Sequence, residues 1–204
     1  GVSWNLRMTG VTIANSASCG CEEHQHTDVC LQDGVPVCGK QVHIHNTGCY
    51  SDPNADTETL LDWQNMFSDY PYTENLRENL VGIAKTQVGY AESTQNFQVD
   101  SNNNLHGYTR YGSWYGAPYN DWSAMFVSFC LHYAGADPKE FPGNTGAASM
   151  AETWKALEKY AEAGTYDPSP GDLVFFTDNT VGIVSEVQSS TICVIRGDVN
   201  DAVC

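Results

Sequence analysis

Between residues 73 and 89, Leu76, Leu80, Ile83, Ala84 and Val88 recur at helical spacing and share one face. Thr73 stands where an N-cap is needed and Gly89 where such a helix must stop. A second helix opens in YNDWSAMFVSFCLHYAG, residues 119–135. Ala124, Phe126, Val127, Cys130, Leu131 and Ala134 make it apolar nearly all round, which places it at the centre of a fold. Asn120 or Asp121 is positioned to cap it, and Gly135 ends it close to Pro138. Residues 149–163 carry an amphipathic pattern through Met150, Trp154, Leu157 and Tyr160, and TETLLDWQNMF predicts a shorter helix. Beyond the DPSPGD turn, three β-branched and aromatic runs, LVFF, VGIVSEV and TICVIR, predict strands. Helices first and strands afterwards give an α+β architecture, with helices packed on an antiparallel sheet.

Between the first two of these helices lies a polar stretch, residues 92–121, read as one long loop. It crowds Tyr108, Tyr111, Trp114, Tyr115 and Tyr119 among glycines, and with Trp122 these rings are candidates for the wall of a ligand groove. The same pattern divides the chain into an extension (1–18), a Cys- and His-rich segment (19–49), a polar linker (50–71) and a main domain (72–204). With neither an initiator Met nor a signal-peptide pattern at Gly1, the chain reads as a piece of something longer.

Composition narrows the function classes. The formal net charge is −16, from 9 Lys and Arg against 25 Asp and Glu, which disfavours nucleic acid and anionic lipid as partners. No run approaches the roughly 20 apolar residues of a membrane span. Abundant Asn, Thr, Ser, Gly and Tyr beside scarce Lys has the flavour of secreted bacterial surface proteins.

The eight cysteines are unevenly spread, with five between Cys19 and Cys49. CGCEEHQHTDVC (19–30) aligns with CGKQVHIHNTGC (38–49). Both read C-G-x3-H-x-H-x3-C, with every corresponding position offset by 19. Histidines at i and i+2 share one face of an extended segment, and flanking thiolates complete an N2S2 shell suited to zinc. The candidate ligands are Cys19, His24, His26 and Cys30 in one copy, and Cys38, His43, His45 and Cys49 in the other, making two structural zinc sites. Disulfides Cys19–Cys30 and Cys38–Cys49 are the alternative in an oxidising compartment. Cys21 is left over in either scheme.

The order of elements from about residue 74 to 203 resembles the CHAP and NlpC/P60 group of papain-like cysteine amidases and peptidases. The segment YNDWSAMF resembles that family's D-W-C-A-M-F active-site helix, PSPGDLVFF its entry to the central sheet, TVGIV its H-V-G-I-V strand, and IRGD its E-G-N segment. The tandem C-G-x3-H-x-H repeats also resemble those beside such domains in surface proteins of gut Firmicutes. The resemblance implies a papain-like fold, a sheet that lacks one further edge strand after Cys204, and a reaction in which a Cys thiolate attacks, a His serves as base and a Glu, Asn or Asp orients it.

Carried over one position at a time, the nucleophile falls on Ser123, the base on Thr180, the orienting residue on Arg196 and the following Asn on Asp198. A serine hydroxyl needs a base, which neither Thr180 nor a permanently protonated Arg196 provides. His132 lies nine residues along the Ser123 helix, about 13 Å by helical rise, so His106, in a mobile loop, is the one conceivable substitute. Loss at three positions indicates a natural pseudoenzyme in place of an engineered Cys-to-Ser trap, and Cys130 is a buried structural thiol. The expected function is a non-catalytic binding module at a bacterial cell surface, taking a host mucosal protein such as immunoglobulin, or a cell-wall glycan or peptide. The alternative is a peptidoglycan amidase or endopeptidase silenced by Ser123 or working through His106. Arg196-Gly197-Asp198 spells an adhesive tripeptide, but its place at a strand end argues against that role.

Overall fold

The computed structural model of the chain describes residues 17–189 and 191–204. The extension expected at the N-terminus therefore lies almost wholly outside the described residues. The chain divides into two compact units, Gly1–Asp52 and Pro53–Cys204.

The described part of the first unit has almost no hydrophobic core, since Cys49 is its one buried residue. Its order comes from the repeat. His24 and His43 pair antiparallel through reciprocal N–H···O bonds of 2.8 Å. Short 3-10 turns, Asp28–Cys30 and Thr47–Tyr50, carry the last cysteine of each copy. The Val37 N–H donates to the Cys30 carbonyl and the Ser18 N–H to the Cys49 carbonyl, a matched pair of bonds at the same offset as the repeat. Strands β1 (Leu31–Gln32) and β2 (Val35–Pro36) form a hairpin joining the copies. Its turn residues, Asp33 and Gly34, have φ of 53° and 79°, as a type I′ turn requires.

The second unit begins earlier than the sequence suggested. Helix α1 (Leu60–Met66) has a capping box between Thr59 and Asp62, and it sends Trp63 and Phe67 into the core. Glu58 pairs with Arg110 at 2.5 Å, both largely shielded from solvent. Residues 53–71 are thus part of the domain and do not act as a linker. Helix α2 (Leu76–Gln87) is capped by Asn75, whose side chain accepts from the N–H groups of Arg77 and Glu78. Thr73, the expected cap, donates its hydroxyl to Glu78 instead.

The stretch read as a long loop contains regular structure. Strands β3 (Phe97–Val99) and β4 (Leu105–Gly107) pair antiparallel, and helix α3 (Arg110–Tyr115) is capped by Thr109 and ended by left-handed Gly116. These strands are three residues long, too short for an alternating pattern to stand out from the surrounding polar residues.

Helix α4 (Ser123–Tyr133) is buried from Ser123 through Leu131, with α2, α3, α5 and the main sheet packed around it. Helix α5 (Ala147–Ala156) stops well short of residue 163. Glu158 is left-handed at φ 55°, and the bonds Lys159 N–H to Trp154 carbonyl and Glu158 N–H to Lys155 carbonyl form a Schellman ending. Strands β5 (Leu173–Phe175), β6 (Val181–Val187) and β7 (Ile192–Arg196) make an antiparallel sheet in the order β5-β6-β7, as the apolar runs predicted. Residues 202–204 continue the pairing, with reciprocal bonds between Cys204 and Arg196 and between Val203 and the 89–90 segment. The architecture is α+β, in agreement with the sequence.

Gly197 follows β7 and lies flat against α4. A β-carbon there would fall 2.7 Å from the Phe126 Cβ and 2.8 Å from the Trp122 Cζ3. This contact turns the central residue of the tripeptide at 196–198 to the core, with Arg196 bonded to Asp178 and Asp198 to the Trp122 N–H. Gly197→Ala is expected to destabilise the domain by about 1–3 kcal/mol, measured by urea unfolding, as overpacking of a dense core does.

Candidate functional site

Several structural pieces meet at a cleft of about 570 Å³ in the second unit, among them Tyr119 to Asp121 before α4 and Thr145 to Ala147 at the start of α5. The first turn of α4 supplies Ser123, the β5–β6 turn supplies Asp178 to Thr180, the segment after β7 supplies Asp198, and the β3–β4 hairpin supplies Asp100 and His106.

Ser123 is only 5 % exposed, yet it lines the cleft, and its hydroxyl has no hydrogen-bond partner among the described residues. Neither Asn120 nor Asp121 caps the helix behind it. The Trp122 N–H donates to the Asp198 Oδ2 at 2.9 Å, so the cap comes from 76 residues downstream. Asp198 is left-handed, at φ 65°, a conformation that Asp tolerates better than most residues. Burial pushes its carboxyl upward, with further push from Asp121 and Asp201, against the pull of the Trp122 N–H and His106.

At the base position, the Thr180 hydroxyl donates to the Asp178 Oδ1 at 2.5 Å. The Arg196 Nη2 donates to the Thr180 Oγ1 and, at 2.9 Å, to the Asp178 Oδ2. The guanidinium lies over the Phe176 ring, 4.0 Å from its centroid. These bonds, with the Thr180 hydroxyl contributing most and Arg196 next, hold the Asp178 carboxyl below its ordinary value. Thr180 thus donates to one neighbour and accepts from the other and has no basicity to offer Ser123, while the Arg196 Nε stays buried without a partner among the described residues.

His106 is not in a mobile loop. It sits on β4 opposite Gln98, with Nε2 3.5 Å from the Asp100 Oδ2. The Asn104 side chain and backbone N–H bond to Asp100 and lower its carboxyl to about 2. His106 and Ser123 border the same cleft without a hydrogen bond between them.

Residues 113–198 match the family model of the CHAP domain. The CHAP match runs from α3 to the aspartate that caps α4, and it includes Ser123, Thr180, Arg196 and Asp198. No curated protein and no solved structure matches the chain. The CHAP segment fits the papain-like arrangement the sequence implied, and it brings Ser123 and Thr180 to one cleft.

The aromatic groove is not what forms. Tyr108, Tyr111 and Trp122 are buried, and Tyr111 stacks on Trp122 at 5.2 Å within the core. Trp114 and Tyr115 line a separate hollow beside His132. Of the six rings proposed, Tyr119 alone borders the CHAP cleft. Sequence reasoning missed instead the acidic residues Asp100, Asp121 and Asp178. Asp121 is adjacent to the quoted helix, but Asp100 and Asp178 sit in turns whose position in the fold no spacing encodes.

In the first unit, two groups of ligand-type side chains converge, Cys19 with His43 and His45, and His24 with Cys30 and Cys38. Either could hold a metal ion. All eight cysteines are free thiols, so neither expected disulfide is formed. The grouping corrects the sequence reading in one respect. Cys19 and Cys38 each join the other copy's histidine, so neither site is built within a single repeat.

Two outcomes test the cleft. Asp198→Ala removes the helix cap and puts Ala at a left-handed position, so it should cost about 2 kcal/mol by denaturant titration. Asp198→Asn keeps both features and should change little. Because the folded-state value of Asp178 lies below the unfolded one, its ionised form favours the fold above about pH 4 and loses that effect as pH falls through the lowered value. In an NMR titration its midpoint should rise toward the ordinary range in Arg196→Met.

Proposed function

We propose that the CHAP cleft is a recognition site that has exchanged thiol chemistry for the binding of a cationic peptide segment. The observation carrying this reading is the closed Asp178–Thr180–Arg196 network, which stands where a hydrolase of this family needs a free imidazole. A protonated Arg196 and a doubly bonded Thr180 hydroxyl take no proton from Ser123.

The cleft's charge supports the ligand class. Asp100, Asp121, Asp178 and Asp198 border it, while Arg196 is already engaged and His106 is held by Asp100. A lysine side chain or a free amine fits such a lining, and the unbonded Ser123 hydroxyl offers a further polar contact. In this reading the domain is displayed at a bacterial cell surface. Its partner is a host mucosal protein, immunoglobulin included, or a cell-wall peptide that presents such a group. The Cys/His unit that precedes it in the sequence carries zinc in a structural role.

A second reading rests on Ser123, His106 and Asp100 bordering one cleft, which is the residue set of a serine hydrolase. In it the domain cleaves peptidoglycan amide bonds, with His106 approaching Ser123 when substrate binds.

Incubation with purified cell wall separates the two. The wild-type chain and Ser123→Cys are expected to release no amino groups. The immobilised chain should retain a lysine-rich peptide at low salt, several-fold less so in Asp121→Asn or at high salt, where charge pairing is screened. Release by the wild type that disappears in both Ser123→Ala and His106→Ala would establish the hydrolase, and release by Ser123→Cys would sink the non-catalytic reading.

A further inference from the structure

The first unit is too poor in buried apolar surface to hold its own shape, and the only converging chemistry among its described residues is thiol and imidazole. The geometry of that chemistry is specific. A tetrahedral zinc site with Zn–S near 2.3 Å and Zn–N near 2.0 Å sets each sulfur about 3.5 Å from each nitrogen. The His24 Nε2 lies 3.4 Å from the Cys38 Sγ and 3.9 Å from the Cys30 Sγ. The His43 Nε2 lies 3.4 Å from the Cys19 Sγ and 3.6 Å from the Cys49 Sγ. In both triplets the nitrogen-to-sulfur separations are close to those of such a tetrahedron, and each triplet draws on both repeats.

The fourth ligand follows from the second histidine of each copy. The His26 Nε2 donates to the Lys40 carbonyl at 3.0 Å, and the His45 Nε2 donates to the Cys21 carbonyl at the same distance. A carbonyl only accepts, so the proton is on Nε2 and the lone pair is left on Nδ1. Fixing a ligand imidazole's tautomer by bonding its other nitrogen to a backbone carbonyl is how proteins orient such ligands. The acceptors, Cys21 and Lys40, are themselves two residues beyond Cys19 and Cys38, so each carbonyl also comes from the opposite copy. This gives the leftover Cys21 a backbone role.

Building on the zinc reading above, we infer that the repeats form a ligand-exchanged pair. One ion is held by Cys38, His24, His26 and Cys30, and the other by Cys19, His43, His45 and Cys49. The leading cysteine of each repeat closes the site of its neighbour, with the antiparallel His24–His43 pairing as the axis of exchange. A single copy then lacks a complete site, and the unit folds as a two-ion whole. With two thiolates and two imidazoles around each ion, no position is left open for substrate, so the role is structural.

The test compares paired substitutions in the full chain loaded with zinc, counting ions per chain by elemental analysis. The wild type should bind two. Cys19→Ser with Cys49→Ser empties one exchanged site and should leave one ion, whereas Cys19→Ser with Cys30→Ser removes a thiolate from each site and should leave none held tightly. The reverse ranking would show that each repeat binds its own ion and would overturn the exchange. Should the substitutions unfold the unit, the wild type loaded with ¹¹³Cd gives the same answer through bond couplings. One cadmium should couple to both Cys38 and the His24 ring, and coupling of Cys38 to the cadmium that couples to His43 overturns the proposal. A wild type that binds no metal would fail the zinc reading itself, an outcome distinct from either ranking.

Discussion

A helix apolar on every side must be covered on every side, and α4 imposes that condition on the whole domain. Burial of Ser123 through Leu131 requires α2 and α3 against it, α5 at its flank and the sheet beneath it. The same burial leaves the N–H groups of its first turn without water. Capping them from within the helix's own approach is not what happens, since Trp122 at the N-cap has no suitable side chain. The chain instead returns 76 residues later, where Asp198 accepts from the N-cap's own N–H, that of Trp122, and Gly197 has no β-carbon so that the backbone can come close enough to do so. The cleft is a consequence of this closure, lying where the sheet end, the helix start and the β3–β4 hairpin come together.

That scaffold favours an anion or a nucleophile at the head of α4. The chain places there a neutral hydroxyl and rings it with carboxylates. Ionised aspartates around a nucleophile would oppose the negative charge that develops during attack on a carbonyl, whereas they favour a cationic guest. The Arg196, Thr180 and Asp178 side chains are bonded to one another where a catalytic pair would need to keep one group free to accept a proton. The electrostatics of the site and its hydrogen bonding therefore point the same way.

The two units achieve order by opposite means. The CHAP-bearing unit relies on a dense aromatic and aliphatic core, in which Tyr111, Trp122, Phe126 and Phe129 are fully enclosed. The Cys/His unit has no such core, and in it convergent thiols and imidazoles stand where apolar side chains would. Repetition makes this possible, because two copies related by an antiparallel contact present their ligands to each other at matching positions.

Much of this was legible in the sequence. The amphipathic and all-apolar helices, the three strand runs and the doubled C-G-x3-H-x-H-x3-C pattern are local features, and local spacing encodes them; the stretches carrying Ser123, Thr180 and Asp198 to the cleft are among them. Tertiary structure decided what depends on residues far apart in the chain. The cap of α4 came from Asp198 in preference to its neighbours Asn120 and Asp121. The rings of Tyr108, Tyr111 and Trp122 went to the core because enclosing apolar area outweighs presenting it. His106 acquired a fixed place only through strand pairing too short to read. In the repeats, spacing named candidate ligands, yet which cysteine lies beside which histidine was settled by the antiparallel docking of two copies, a contact that no spacing within either one contains.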